Sequence, residues 1–218
     1  MIYELRRYTL RPGLRDTLIE LFEREFVEAQ EAAGMDVVGH FRDLDASDTF
    51  PWIRAFPDMD RRKAALTAFY TGPVWQANRD AANATMIDSD DVLLLRPAGH
   101  GFQRSRRPPA GSGAPPSSLY TATICSGVGP GFAEFFAEQV APVLAEGGAA
   151  PVACFESEHA ENTYPALPVR TGEQVFVWFA RFERAEDERE VHVPALDEHL
   201  TAPPRRMRLA PAARSALR

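Results

Sequence analysis

The feature that most limits the possible folds of this chain is an order of strands and helices that occurs twice. Hydrophobic spacing predicts the order β-α-β-β-α-β up to residue 98, beginning with an alternating strand over 2–10, and the same order again from residue 119. The third strand of each copy carries the pattern W-x-x-x-F, as Trp52–Phe56 and as Trp178–Phe182. We therefore predict two copies of one structural unit, of which the second is more degenerate.

The repeated order limits how the two copies can be arranged. A β-α-β-β-α-β unit forms a four-stranded antiparallel sheet with both helices on one face, so its other face must be covered. Two units in one chain can cover each other by packing face to face. We predict a first unit over residues 1–98, a solvated linker rich in Pro, Gly, Ser and Arg over residues 99–118, and a second unit over residues 119–212.

Some elements of the predicted units have distinctive local signals. The fourth strand, predicted over 91–96, contains the run VLLLR, which is apolar without alternation, as expected for a strand buried on both faces. The helical region after the third strand is expected to break at Gly72-Pro73. In the second unit a charged helical stretch is predicted from Arg184, with the helical cover of the sheet near Glu186–His199.

Charge and hydropathy weigh against several classes of function. The net charge of -7 indicates a soluble protein and not a nucleic-acid-binding surface, which would carry a basic field. No apolar run approaches the ~20 residues that a membrane-spanning helix needs. The sequence begins directly with a predicted strand and lacks an apolar signal core, so we expect a cytoplasmic protein without membrane partners.

The cysteines and histidines give no sign of a metal site. Cys125 and Cys154 lie in predicted strands among apolar neighbours, which indicates buried, unreactive thiols. These two strands are not neighbours in such a sheet, so we expect no disulfide. The spacing of His159, His192 and His199 is not that of metal ligands, and nucleotide-binding and serine-hydrolase motifs do not occur. We expect no metal and no organic cofactor.

The third strand and its neighbour carry the first group of candidate site residues. Trp52, Arg54 and Phe56 share one face of the strand, because strand side chains alternate. An arginine between aromatic residues is unusual for a core and suits a pocket wall. His40, on the adjacent second strand, can transfer protons, and Arg54 can stabilise a developing negative charge.

A second group of candidates follows the broken helical region. Tyr70 precedes the break, and Trp75, Arg79 and Asn83 follow it at a spacing of four residues, so we expect the last three to share a helix face. The break is expected to widen the helical layer and to open a cavity beneath it. Together the two groups predict a pocket between the sheet and the helices of the first unit.

Structural explanations remain open for both groups. His40 can be held by a backbone or carboxylate partner, with Arg54 paired to Asp43 or Asp58. The helix tryptophan can belong to the core, with its neighbouring arginine extended into solvent. A buried Glu4–Arg6 pair on the first strand fixes register more readily than it performs catalysis.

The first half of the chain resembles the NIPSNAP family over about residues 1–98. The resemblance rests on the start Tyr3-Glu4-Leu5-Arg6-x-Tyr8-Thr9-Leu10-x-Pro12-Gly13, the aromatic third strand, the run Asp60-Arg61-Arg62-Lys63-Ala64 and the tripeptide Pro73-Val74-Trp75. It implies a ferredoxin-like fold of the dimeric α/β-barrel superfamily. The fold class that we predict is therefore α+β, with two ferredoxin-like units in tandem forming a pseudo-dimeric α/β barrel.

The resemblance leaves the chemistry open. The superfamily includes cofactor-independent monooxygenases, haem enzymes, isomerases and decarboxylases, and also members without known activity. No histidine stands in a place that matches the haem-binding relatives, so haem is not expected. Because a fused barrel needs no second chain to cover its sheet, we expect a monomer or a weak homodimer.

These observations lead to two competing expectations about function. In the first, the protein binds a small organic molecule in the first unit and is a cofactor-independent enzyme of monooxygenase, isomerase or lyase type, with His40 as acid/base and Arg54 as anion stabiliser. In the second, it is a non-catalytic ligand-binding or scaffold protein. A cavity on the order of several hundred Å³ would favour an enzyme or a ligand carrier, and a pocket filled by side chains would favour the scaffold.

Overall fold

The computed structural model of the chain describes residues 1–99 and 101–218; His100, which falls in the predicted linker, lies outside the described residues. Within these residues eight strands form one closed antiparallel barrel. The strands are β1 (Ile2–Leu10), β2 (Asp36–Asp43), β3 (Thr49–Phe56), β4 (Met86–Pro97), β5 (Leu119–Ser126), β6 (Pro151–Ser157), β7 (Val175–Phe182) and β8 (Arg205–Pro211). Their order around the barrel is β1-β3-β2-β8-β5-β7-β6-β4.

The two halves of the barrel are paired symmetrically. β1 lies between β3 and β4, and β5 lies between β7 and β8 in the same way. β2 pairs with β8 and β4 pairs with β6, so the second strand of each half meets the fourth strand of the other. The predicted fold class, two ferredoxin-like units in tandem forming a pseudo-dimeric α/β barrel, is confirmed. The unit boundaries at residues 98 and 119 stay predictions.

The barrel interior is a packed core. Apolar side chains from all eight strands fill it, among them Leu5, Ile53, Leu93, Val177 and Leu209. The helices lie against the outside of the same strands, so a central strand is buried on both faces. The unbroken apolar run in β4 is explained by this arrangement, since each residue from Val92 to Leu95 is buried.

Helices cover the outside of both halves. They are α1 (Arg15–Leu21), α2 (Val27–Ala32), α3 (Met59–Thr71) and α4 (Pro73–Thr85) in the first half, and α5 (Phe132–Phe135), α6 (Ala141–Glu146) and α7 (Pro194–Asp197) in the second. A π-helical turn joins α1 to α2, and another joins α5 to α6. The predicted break at Gly72 is confirmed: its backbone is extended (φ -76°, ψ 160°), and Pro73 begins the next helix, where its missing N–H costs nothing.

Two predicted elements differ in the structure. β4 begins at Met86 and not at 91, because its first residues pair with β1 through a bulged register while their side chains stay largely exposed, so they lack an apolar signal. The charged helical stretch predicted from Arg184 is wrong. The region holds a single 3₁₀ turn, Ala185–Asp187, and the four-residue α7. A longer helix does not form because the region has no apolar face at helical spacing, and because Pro194 can start a helix but not continue one.

The linker is less solvated than expected. Phe102 packs against the rings of Tyr3, Phe155 and Phe179 at one mouth of the barrel. Arg107, in the same segment, is largely covered and pairs with Glu31 at 3.0 Å. Through these two residues the segment packs against the first and second halves as well as connecting them.

Candidate functional site

A buried cluster of charged side chains lies between the sheet and the helices of the first half. β1 and β3 pair so that Glu4 stands opposite Arg54 and Arg6 stands opposite Trp52. Because side chains alternate along a strand, all four side chains point to the helix side of the sheet. Arg62 reaches the same place from α3. We call Arg6, Arg54 and Arg62, together with Glu4, the arginine cluster.

The carboxylate of Glu4 binds all three guanidinium groups of the arginine cluster. Its Oε2 accepts hydrogen bonds from Arg6 Nη1 and Arg54 Nε, each at 2.6 Å, and its Oε1 accepts one from Arg62 Nε at 2.6 Å. All four side chains are at most 1% exposed. The cluster is thus shielded from water, where charge interactions are strong.

The cluster has more positive than negative charge. Burial by itself raises the pKa of Glu4, but the charges of Arg54, Arg6 and Arg62 outweigh burial and hold this pKa far below its ordinary value. Arginine does not deprotonate in proteins. Three guanidinium groups and one carboxylate therefore leave two positive charges in a region without solvent.

Aromatic rings offset part of this excess. The guanidinium of Arg6 lies 5.5 Å from the ring of Tyr8 and 5.6 Å from that of Trp52, and the guanidinium of Arg54 lies 5.1 Å from Trp52 and 5.6 Å from Phe56. Each cation–π contact contributes about 0.5–2 kcal/mol, whereas removing an ion from water costs several kcal/mol. The contacts orient the arginines but do not balance their charge.

Donors of the arginine cluster remain free. Arg54 Nη2, Arg62 Nη2 and the indole Nε1 of Trp52 are buried and have no hydrogen-bond partner in residues 1–99 and 101–218. Buried donors are nearly always bonded, so free ones mark a place where an acceptor can bind.

A small cavity with aromatic walls adjoins the cluster. Its volume is about 30 Å³, and Trp52, Tyr70 and Trp75 line it together with Tyr8 and Gln30. Tyr8 accepts a hydrogen bond from Arg6 Nε at 3.1 Å, and Gln30 accepts one from Arg54 Nη1 at 3.4 Å. The cavity is therefore continuous with the cluster, but ligand pockets commonly measure roughly 300–1,000 Å³. In this conformation side chains fill most of the space.

Two predicted residues of α4 point away from the cavity. Arg79 is half exposed and bonds to Gln76 and Asp80, and Asn83 is exposed. The predicted shared face does not form, because the inward stripe of α4 runs from Trp75 to the buried Ala82 and Thr85. A spacing of four residues exceeds one helical turn of 3.6 residues, so each step drifts around the helix.

His40 is buried in a separate arrangement. It stands opposite Trp52 in the sheet, but its Nε2 is hydrogen-bonded to Glu23 Oε1 at 2.8 Å. Burial lowers the pKa of His40, although Glu23 acts to raise it. No hydrogen bond joins His40 to Arg54 in the described part of the chain. His40 is thus held by a carboxylate, that of Glu23, as in the structural explanation given above. Arg54 pairs with Glu4 and not with Asp43 or Asp58.

The second half of the chain supplies part of the site, which sequence reasoning missed. The loop between β6 and β7, residues 158–174 and here named the cover loop, lies over the arginine cluster. Asn162 Oδ1 accepts a hydrogen bond from Arg62 Nη1 at 2.9 Å, Thr163 Oγ1 donates to Met59 O at 3.1 Å, and Tyr164 stacks on Tyr70. The sequence signal was the extra length of this loop relative to its counterpart in the first unit.

Among residues 1–99 and 101–218, no group of three or more His, Cys, Asp or Glu side chains is placed to hold a metal ion. No helix in the same ranges combines the length and the apolar character needed to cross a bilayer.

Solved structures with similar folds span the whole chain. A protein from Fusobacterium nucleatum, provisionally assigned as a monooxygenase, matches with a TM-score of 0.57 and 9% identity over 99% of this chain and 95% of its own. A similarly assigned protein from Lactobacillus acidophilus matches with a TM-score of 0.52 and 13% identity over 99% and 97%. At these identities the likeness shows the fold alone.

The family comparison covers the half that contains the arginine cluster. An uncharacterized NIPSNAP domain protein from Burkholderia xenovorans matches at 18% identity with a TM-score of 0.43, over 47% of this chain and 100% of its own. No curated protein matches the sequence. The family model named NIPSNAP matches residues 3–100. The match to the NIPSNAP family therefore covers the first half of the chain, and a second ferredoxin-like half follows it.

Proposed function

We propose that the first half binds a small organic anion at the arginine cluster. The observation that carries the proposal is the charge balance of the cluster, in which three buried guanidinium groups share one carboxylate. An uncompensated charge in a dry interior costs several kcal/mol, and a bound anion would offset it.

The free donors and the aromatic walls define the class of ligand. Arg54 Nη2 and Arg62 Nη2 have no hydrogen-bond partner among the described residues. They belong to planar guanidinium groups, whose geometry suits a carboxylate or an enolate oxygen. Trp52, Tyr70 and Trp75 present ring faces or edges to the adjoining cavity. A flat, partly apolar carboxylate or enolate fits both features.

The same groups could support a reaction without a cofactor. A guanidinium fixed beside a forming enolate oxygen stabilises it more strongly in a dry site than in water. The hydroxyl of Tyr8, which accepts from Arg6 Nε, keeps its own proton, and burial raises its pKa despite the opposing charge of Arg6. Tyr8 is therefore a proton donor in direct contact with the cluster. His40, the acid/base of the sequence prediction, is bonded to Glu23, and its catalytic role stays a prediction.

A non-catalytic scaffold is the second candidate, and a specific observation favours it. The cavity of about 30 Å³ has no room for a drug-sized molecule. A ligand must therefore displace the cover loop or aromatic side chains, whereas a scaffold needs no such movement.

Thermal unfolding with a matched set of ligands tests the proposal. Benzoate and phenylpyruvate are expected to raise Tm, and benzamide, which is neutral and of similar shape, is not. Arg62→Lys keeps the charge but loses the planar fork, so it should weaken benzoate binding at least about tenfold. Arg79→Lys, the same change at an exposed arginine, should leave binding unchanged. A wild-type protein whose Tm responds to none of the anions, and whose native mass shows no bound molecule, supports the scaffold.

A further inference from the structure

The second half has a cavity at the position that the arginine cluster occupies in the first. The W-x-x-x-F pattern matches Trp178 in β7 with Trp52 in β3. Two residues further on, Ala180 therefore matches Arg54. The methyl group of Ala180 leaves open the space that a guanidinium group fills in the first half.

The paired strand shows the same loss of charge. In the first half Glu4 stands opposite Arg54, and in the second half Thr121 stands opposite Ala180. Thr121 therefore occupies the position of Glu4. Thr123 stands opposite Trp178, which places it at the position of Arg6. Two hydroxyl groups thus replace the ionised side chains on β5, while β8 places Arg206 opposite Thr123 on the same face of the sheet.

The cover of the second site also differs. In place of two long helices, residues 183–204 lie across the sheet with little regular structure. Val191 packs so closely against Gly147 that a Cβ added to this glycine would lie 2.4 Å from Val191 Cγ2. His199 stacks on Phe135 with ring centroids 3.8 Å apart. Leu196 is buried in the same layer. The segment is fixed at several points but does not fill the space beneath it.

The space between this segment and the sheet is a cavity of about 340 Å³ that opens to solvent. Thr121, Thr123, Trp178, Ala180 and the β8 residue Arg206 line it on the sheet side. Its volume lies at the lower end of the range for small-molecule sites, roughly 300–1,000 Å³, and is more than ten times that of the cavity in the first half.

The charged groups that line the cavity contact side chains or backbone of the segment above it. Arg206 Nη2 lies 2.8 Å from Glu188 Oε1, and His192 Nε2 lies 3.7 Å from Asp197 Oδ2. Arg189 Nη1 donates to the carbonyl oxygen of Glu188 at 3.0 Å. Arg206, the charged group on the sheet side, is therefore already paired with a carboxylate, and the lining holds two arginines and two carboxylates.

We propose that the second half binds an uncharged, largely aromatic small molecule in this cavity, with a polar group that meets the hydroxyl of Thr121 or Thr123. An ionised ligand would lose its water and find no counter-charge on β5 or β7, and an anion would have to compete with Glu188 for Arg206. A flat ring can pack against Trp178, and one hydrogen bond to a threonine fixes its orientation. The two halves then differ in ligand class, with an anion in the first and a neutral molecule in the second.

Calorimetric titration of the full chain with 2-naphthol tests this second site. We expect 1:1 binding, and at least about tenfold weaker binding of 2-naphthoate, which has the same ring system and a charge. Ala180→Leu fills the floor and should weaken 2-naphthol binding at least about tenfold. The same substitution at the exposed Ala64 of α3 should not change it.

Two threonine variants keep the test decisive. Thr121→Val and Thr123→Val each remove one hydroxyl at nearly constant volume, and one of the two should weaken 2-naphthol binding several-fold, even where Ala180→Leu does not fold. The proposal is overturned if 2-naphthol does not bind to the wild-type protein, if folded Ala180→Leu binds it as the wild type does, or if neither threonine variant weakens binding.

Discussion

Glu4 and Arg62 are 58 positions apart in the chain, yet Arg62 Nε donates to Glu4 Oε1 across 2.6 Å, and both side chains are excluded from solvent. Glu4 lies on β1 and Arg62 on α3, so this ion pair joins the sheet to the helix layer above it. The same carboxylate also holds the arginines of both strands. One side chain therefore organises the whole charged site.

Replacing Glu4 should destabilise the protein severely. Glu4→Gln leaves three buried guanidinium groups without a counter-charge, and breaking a buried ion pair in this way costs about 3–5 kcal/mol. Urea unfolding followed by circular dichroism measures the loss. Asp80→Asn, which removes a carboxylate from an exposed pair, should change stability by less than about 0.5 kcal/mol. Equal stabilities of the two variants would show that the cluster does not depend on Glu4.

The stabilising effect of Glu4 should depend on pH in a defined direction. Burial raises its pKa, but Arg54, Arg6 and Arg62 lower it far below the ordinary value of 4.5. A carboxylate with a depressed pKa stabilises the folded state fully above its unfolded pKa and loses this effect as the pH falls towards the folded pKa. The difference in unfolding free energy between wild type and Glu4→Gln should be constant from about pH 8 to 6 and shrink below about pH 4.5. Shrinkage above pH 6 would contradict this assignment.

His40 should make the folded state less stable in mild acid. Burial lowers its pKa below the ordinary 6.5, and Glu23 opposes this shift without reversing it. The unfolded chain therefore binds a proton more readily, and stability decreases as the pH falls below about 6.5. Urea unfolding at about pH 7.5, 6.5 and 5.5 should show a smaller decrease for His40→Gln than for the wild type, with His159→Gln as an exposed control. If His40→Gln and the wild type lose stability equally, His40 is not the group that titrates.

Both cysteines should be unreactive in the folded protein. Burial raises the pKa of the Cys125 and Cys154 thiols to about 12. At pH 8 a thiol with this pKa is ionised to about one part in ten thousand, and the thiolate is the reactive form. Mass spectrometry after incubation with iodoacetamide should show unmodified native protein and two modifications after denaturation in guanidinium. Rapid modification of the native protein would place at least one thiol in solvent.

The elements that sequence predicts best are those whose signal is local. Alternation and helical spacing give the order of strands and helices in both halves, and the repeat of W-x-x-x-F aligns β3 with β7. The stretch from Arg184 is predicted poorly, because its charges resemble a solvated helix while its contacts are made through a few apolar residues such as Val191 and Leu196.

The site was harder to predict, because its contacts join distant parts of the chain. Trp52, Arg54 and Tyr70 could be recognised as an unusual aromatic and charged group. Arg62 lies in a charged run that is typical of an exposed helix face, and its burial depends on Glu4 and on the cover loop. Asn162 comes from the other half of the chain, and nothing in its own neighbourhood indicates the contact.

Asn162 should hold the cover loop closed over the arginine cluster. Its Oδ1 accepts from Arg62 Nη1 and from the Tyr164 backbone N–H, and its Nδ2 donates to Leu167 O. Losing these bonds costs about 1–3 kcal/mol of local stability, so Asn162→Ala should speed amide hydrogen exchange in the loop at least about fivefold. Asn78→Ala, which removes a side-chain hydrogen bond of an asparagine within α4, should leave hydrogen exchange in the cover loop unchanged.

Because Arg62 is covered by this loop, Asn162→Ala should also bind benzoate faster than the wild type. Unchanged exchange at Tyr164 and Leu167 would show that the stacking of Tyr164 on Tyr70, and not Asn162, keeps the site closed.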